Sequence, residues 1–192
     1  HPPPPPTAPK FPPPTSLKVN KPKLVVGIVV DQMRYDYIYR YWNKFGSDGF
    51  KRLINDGYFC KNTNYNYVPT YTGPGHTSIY TGTTPSVHGI IANDWYDIKT
   101  GKDLYCAQDD KVSGVGSASP EGKRSPVNML TTTITDELRL SNNMQSKVIG
   151  IALKDRSAIL PAGHTANAAY WYDGAIGSFI TSTYYMKDLP TW

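Results

Sequence analysis

At 192 residues the chain is long enough for one ordinary domain with its own core, or for part of a larger one. A formal charge of +5, drawn partly from Lys10, Lys18, Lys21 and Lys23 near the N-terminus, implies no folded basic face and weighs against nucleic acid as a partner. No apolar run approaches the roughly 18 residues of a membrane-spanning helix, so no span is expected.

The sequence begins at His1 with neither methionine nor signal peptide, as a processed mature protein or an excised piece would. Cys60 and Cys106 fit either one disulfide of an oxidising compartment or two buried free thiols, and they stand too far apart for a cysteine zinc site. Residues 1–20 form a proline-rich tail or linker: HPPPPPTAPKFPPPTS cannot build helix or central strand and reads as an extended spacer ahead of ligand for a proline-recognising domain.

Leu24 to Val30 is a wholly apolar, β-branched run, the pattern of a strand buried on both faces in a parallel sheet. It ends on Asp31, which in an open α/β sheet is a candidate metal ligand or general base, the plain alternative being a turn or cap residue. Tyr35, Ile38, Tyr39 and Trp42 recur at helical spacing up to Gly46. Ser47 then reads as the cap of a second short helix carrying Phe50, Leu53 and Ile54, closed by Gly57. Residues 58–68 alternate as a strand would.

In Tyr67 to Gly82 two prolines and two glycines hold the backbone extended and then turn it, with Thr72 at the predicted N-cap and a helix beginning at Gly73 or Pro74. The unpaired N–H groups and the dipole of that helix favour an anion such as phosphate beside the Thr72 hydroxyl. A capping role alone is the commoner use of such a threonine, so its candidacy as a nucleophile depends on other residues.

Residues 84–89 read as a turn. The segments 95–98 and 103–106 flank Lys99-Thr-Gly-Lys102 as a hairpin, 108–126 as polar, glycine-rich loop, and 128–140 as a helix packing on the sheet. Lys147 to Leu153 repeats the pattern of the first strand and ends on Lys154, Asp155 and Arg156. A second hairpin follows over 168–172 and 178–184, and no internal repeat is present. Acid, hydroxyl and cations are thereby expected on one edge of the sheet. Together they make a coherent set for phosphoryl transfer: a metal on Asp31 to activate Thr72, with Lys154 and Arg156 offsetting charge on the phosphoryl oxygens.

Four stretches, LVVGIVVDQMR (24–34), VPTYTGPGHTSI (68–79), HGIIANDWY (88–96) and LKDRSAILPAGH (153–164), resemble in order those of the PafA-type bacterial alkaline phosphatases. These belong to the alkaline phosphatase superfamily, near the type I phosphodiesterases and nucleotide pyrophosphatases, and the resemblance runs from about Lys21 to Trp192. It implies an α/β, alkaline phosphatase-like fold: a largely parallel central sheet flanked by helices, with β-hairpin insertions, incomplete relative to the family. Residues 21–192 would be the N-terminal part of a catalytic domain.

The resemblance also implies that Asp31 and Thr72 ligate one of two zinc ions, with Thr72 forming a phosphothreonine. Asn93, Lys154 and Arg156 would contact phosphoryl oxygens, the two cations marking preference for small phosphate monoesters. His76, His88 and His164 match loop-shaping positions rather than metal ligands. The remaining ligands have no counterpart before Trp192, so this chain is expected to be weak or inactive alone. The location implied is the periplasm or cell exterior. A phosphodiesterase or nucleotide pyrophosphatase on the same scaffold, and a noncatalytic anion-binding or interaction module, are the alternatives.

Overall fold

The computed structural model describes residues 21–191; the proline-rich stretch 1–20, read above as a tail or linker, lies outside the described residues. The chain divides after Val30. Residues 24–30 take part in none of the described ladders, and Leu24 and Ile28 are 79% and 78% exposed. The expectation of a buried strand there is corrected. β-Branched apolar residues favour extended backbone, but a strand is held by hydrogen bonds to a neighbour and by burial, and the described residues supply neither.

From Asp31 onward the helices are α1 (Asp36–Arg40), α2 (Phe50–Asp56), α3 (Thr72–Thr81), α4 (Pro85–His88), α5 (Ile134–Leu140) and α6 (Asp155–Ala162). The strands are β1 (Asp94–Asp97), β2 (Lys102–Tyr105), β3 (Gly114–Val115), β4 (Ile149–Ala152), β5 (Ala168–Asp173) and β6 (Ser178–Ser182). Strands β1 and β2 form the expected hairpin, pairing Asp97 with Lys102. A four-stranded sheet runs β3-β6-β5-β4, and the second expected hairpin, β5-β6, is its centre.

Only β4 and β5 are parallel; β6 is antiparallel to both its neighbours, so the described sheet is mixed rather than largely parallel. Strand β4 is buried on one face, not both: Ile149 and Ile151 are exposed, while Gly150 faces α6. A Cβ at Gly150 would lie 2.1 Å from the Ala158 carbonyl oxygen, so only glycine lets this helix pack so near the strand. The stretch 58–68 forms no strand, and Gly49, at φ +61°, rather than Ser47 precedes α2.

The core gathers Ile90, Cys106, Met129, Ile159, Leu160, Trp171 and Ile180, with α6 packed on β4 and β5 and also on α3. Two links fix α5 against α6. Thr135 Oγ1 lies 2.9 and 3.0 Å from the Pro161 and Ala162 carbonyl oxygens, partners for the otherwise unpaired end of α6. Thr133 and Asp136 form a capping box, and the fully buried Asp136 carboxylate also accepts the backbone N–H groups of His164 and Thr165 at 3.1 and 2.7 Å.

Burial works against the Asp136 charge, but the N–H groups of Thr133, Thr165 and His164 outweigh it and hold the carboxyl below its usual 3.8. A lowered folded pKa contributes stability that is present above the unfolded value and lost as pH falls through the folded one. Asp136→Asn, which puts an NH2 where donors converge, is expected to cost about 2–3 kcal/mol at neutral pH, or roughly 5–10 °C in Tm. Thermal unfolding of the two proteins from pH 7 to 2 should find their Tm values converging below about pH 4, as protonation removes the charge only the parent carries.

Candidate active site

Helix α3 has an unfavourable composition, TGPGHTSIYT, and exists because it is buried: Gly73 to Ser78 are enclosed, and it packs along α6. A Cβ on Gly73 would stand 3.1–3.3 Å from three groups, the Ala92 carbonyl oxygen, Asn93 Oδ1 and Cys106 Sγ, so the helix start is wedged against the 92–106 segment. The last turn closes on Gly82 at φ +67°, whose N–H reaches the Ser78 carbonyl.

Thr72 is the first residue of this helix, one position inside the expected cap, and its hydroxyl makes no capping bond. Instead Oγ1 donates to Asp31 Oδ2 at 3.0 Å, across 41 residues of chain. The vacated capping role is filled from outside: Asn93 Oδ1 accepts the Gly73 N–H at 2.7 Å. With its oxygen fixed, the NH2 group of Asn93 is the part left to donate. The Asn93 carbonyl in turn takes the Cys106 N–H at 2.8 Å, tying this loop to the end of β2.

Lys154 and Arg156 flank the start of α6, where β4 ends. Lys154 is exposed and forms no ion pair among the described residues. Arg156 is half-buried; its Nη1 donates to the Tyr105 hydroxyl at 3.0 Å, while its buried Nε has no partner. Burial opposes the Arg156 charge, but the Tyr105 hydroxyl and Asp155 carboxylate outweigh it and raise its pKa. Tyr105 donates to Asp155 Oδ1 at 2.5 Å, and Arg124 Nε donates to Asp155 Oδ2 at 2.7 Å with its guanidinium 4.8 Å above the Tyr105 ring. Burial, then the Asp155 charge, pushes the Tyr105 phenol far above its usual range, so it remains a proton donor.

Of the residues singled out in the sequence, the structure brings Asp31 and Thr72 into direct contact and sets Asn93 on the next residue, Gly73. Arg156 stands behind Tyr105 and near the Cys106 thiol, which itself neighbours Gly73. Sequence reasoning missed Tyr105 and Arg124, and it saw Asp155 only as charge. These partners are 31 to 51 residues apart, so no spacing signal links them. Helix α6 also went unpredicted, although Lys154 to Gly163 has an apolar centre and a closing glycine.

His76 and His88 sit in side-chain hydrogen bonds close in sequence, whereas His164 is held through its backbone N–H. His76 Nδ1 donates to the Thr72 carbonyl at 2.9 Å. His88 Nδ1 accepts the Ile90 N–H at 3.2 Å, which places its proton on Nε2 facing Ser78 Oγ at 2.9 Å; burial lowers its pKa to about 4 and keeps it neutral. The His164 N–H goes to Asp136. Both cysteines are free, Cys60 exposed and Cys106 buried, and burial raises the Cys106 thiol to about 12, which makes it unreactive. Among the described residues no three His, Cys, Asp or Glu side chains gather as a metal site, and no helix is long and apolar enough to cross a membrane.

Residues 25–190 match the family described as type I phosphodiesterase / nucleotide pyrophosphatase. A Myroides odoratus protein named calcium-transporting ATPase is 60% identical over 177 residues, covering 92% of this chain and 32% of the relative. Alkaline phosphatase PhoV of Synechococcus elongatus is 59% identical over 174 residues, covering 91% and 32%. The crystal structure of wild type alkaline phosphatase PafA is similar with a TM-score of 0.89 at 56% identity, over 91% of this chain and 34% of that one. The chain thus spans about a third of the length of these relatives. The fold is alkaline phosphatase-like, and the chain belongs to the type I phosphodiesterase / nucleotide pyrophosphatase family.

Proposed function

We propose that the full-length protein hydrolyses small phosphate monoesters, as an alkaline phosphatase of the periplasm or cell exterior, with Thr72 as its nucleophile. The observation that carries this reading is the Thr72 Oγ1 to Asp31 Oδ2 hydrogen bond at the N-terminus of α3, with Asn93 on the adjoining residue. A threonine that only capped its helix would spend its hydroxyl on the backbone; this one is aimed at a carboxylate.

Asp31 orients the hydroxyl and takes its proton as Oγ1 attacks phosphorus and the bond from phosphorus to the ester oxygen breaks, the departing oxygen taking a proton from water; water then cleaves the phosphothreonine. The Asn93 NH2 group and the positive end of α3 face the phosphoryl oxygens. Arg156 offers Nε and Nη2, two parallel N–H groups matched to two oxygens, and Lys154 adds a point charge.

Asp31 and Thr72 offer two adjacent oxygens to a single zinc ion, but zinc takes about four ligands, so the two-zinc site of the reading needs residues outside those described. When bound, zinc would lower the pKa of the hydroxyl it touches and offset phosphoryl charge. The calcium-transporting ATPase name of one relative and the alkaline phosphatase name of another share cleavage of a bond to phosphorus.

The family match favours a second reading, phosphodiester or nucleotide pyrophosphate hydrolysis. Two cations at the start of α6 favour the monoester, whose dianion carries one more charge than a diester. A noncatalytic anion-binding module is the reading left if the nucleophile proves silent.

In the full-length protein, Thr72→Ala is expected to abolish a radiolabelled phosphoenzyme and lower monoester turnover by at least about 1,000-fold. Wild-type turnover in that variant would remove Thr72 as nucleophile. Arg156→Ala should cost about 100-fold in kcat/KM for an aryl phosphate and much less for an aryl methyl phosphodiester. A parent enzyme that prefers the diester would favour the second reading. Calorimetric titration of this 192-residue chain with zinc should find no tight pair of ions, whereas chelation should inactivate the full-length protein.

A further inference from the structure

The start of α6 presents an unusual arrangement of charge. Asp155 is 5% exposed and lies next in sequence to Arg156, yet its two carboxylate oxygens are taken by other groups. Oδ2 accepts Arg124 Nε at 2.7 Å, and Oδ1 accepts the Tyr105 hydroxyl at 2.5 Å and the Arg156 backbone N–H at 2.8 Å. The Arg156 guanidinium meets the Tyr105 oxygen at 3.0 Å and makes no ion pair with the carboxylate. A neutral phenol thus stands between a buried anion and the cation.

This has two physical consequences. Arg124 is the ion-pair partner of Asp155, so Asp155 acts on Arg156 only through space and through Tyr105, and the Arg156 guanidinium is not tied up in an ion pair. The hydrogen bond to Tyr105 also engages Nη1 alone, and the buried Nε has no partner. A buried N–H without an acceptor is costly, and a ligand oxygen would remove that cost. Tyr105 has one proton and gives it to Asp155, so its lone pairs are what Arg156 meets; the direction of each bond in the chain Arg156, Tyr105, Asp155 is fixed.

We propose that Tyr105, backed by Asp155 and Arg124, is a positioning residue that holds Arg156 with its Nε–Nη2 edge presented to the phosphoryl group, and thereby sets the preference for monoesters over diesters. The inference rests on the phosphomonoesterase reading above. Tyr105 acts through Arg156 and does not touch substrate.

The test is a double-mutant cycle in the full-length enzyme, with kcat/KM measured for an aryl phosphate and for its methyl diester, and Tm recorded for every variant. Tyr105→Phe keeps the ring under Arg124 and removes only the hydroxyl. It is expected to lower monoester kcat/KM about tenfold, and the monoester-to-diester ratio nearly as much, at little change in Tm. In the Arg156→Ala background the same substitution should change the monoester rate less than twofold, because the group being positioned is gone.

An equal fall for both substrates, or a tenfold fall that persists without Arg156, would overturn the positioning role and leave Tyr105 a packing residue. An unaltered monoester rate in Tyr105→Phe, with a large loss in Arg156→Ala, would overturn it while sparing the phosphatase reading. If Arg156→Ala itself leaves monoester turnover intact, Arg156 is not the group being positioned and the inference fails while the phosphatase reading stands; a parent enzyme that turns over no monoester would sink that reading and the inference with it. Arg124→Lys supplies an independent arm: a lysine keeps the charge but loses the Nε donor and the stacking on Tyr105, so it should shift the same ratio in the same direction.

Discussion

The site depends on how closely α6 can approach its neighbours. This helix lies on β4 and β5 and against α3, so it fixes both the first turn of α3, where Thr72 stands, and its own first turn, where Arg156 stands. Only small groups permit that approach. Gly150 brings strand and helix into backbone contact, and Ala158 and Ala162 face it from the helix. At the other end Gly73 fits against Ala92, Asn93 and Cys106 where any Cβ would be crowded. The position of the hydroxyl follows from steric permission at two glycines, more than from any preference of its own sequence for helix.

Around this frame the buried acids have separate tasks, and each is satisfied by different chemistry. Asp136 is met by backbone N–H groups and hydroxyls and fastens α5 to the turn after α6. Asp173 accepts from Ser117, Ser119 and the Ala175 N–H, and those bonds lower its pKa. Asp155 alone is met by an arginine. Because each acid has donors elsewhere, none of them forms an ion pair with Lys154 or Arg156 among the described residues. The site edge therefore keeps positive charge, the condition for drawing in a phosphate dianion.

The legible parts of the fold were those whose signal is local. Both hairpins could be read because turn residues and alternation lie within a dozen positions. Thr72 and Asp31 were legible as a pair through four ordered stretches of family resemblance, while the strands expected before each of them are not formed among the described residues. What was not legible depends on distant neighbours. The runs at 24–30 and 147–153 look alike in composition, yet only the second meets a partner strand among the described residues. The capping box of α5 sets its start at Ile134, later than periodicity placed it. Tyr105 sits in a hairpin strand as an ordinary aromatic; its meaning comes from Asp155 and Arg156, 50 and 51 residues away.

The two proposed readings differ by one charge on the substrate, and the geometry points to where a scaffold can make that choice. In the proposed reading Thr72, Asp31 and Asn93 would act on parts every phosphate ester shares: the phosphorus and an oxygen beside it. Selectivity must come from groups that meet the oxygen a diester has esterified. A cation placed there gains from the dianion and is left poorly paired by a diester, so the same residue both attracts and rejects. That works only if its charge is not already satisfied by the protein. An arginine bonded directly to Asp155 would be well held but largely neutralised; an arginine with no support would be charged but mobile, and would lose entropy on binding. A phenol between the two gives direction without neutralisation. On the proposed reading, discrimination would be set at the start of α6, apart from Thr72, and could be altered there without rebuilding the hydroxyl and carboxylate proposed for the common chemistry.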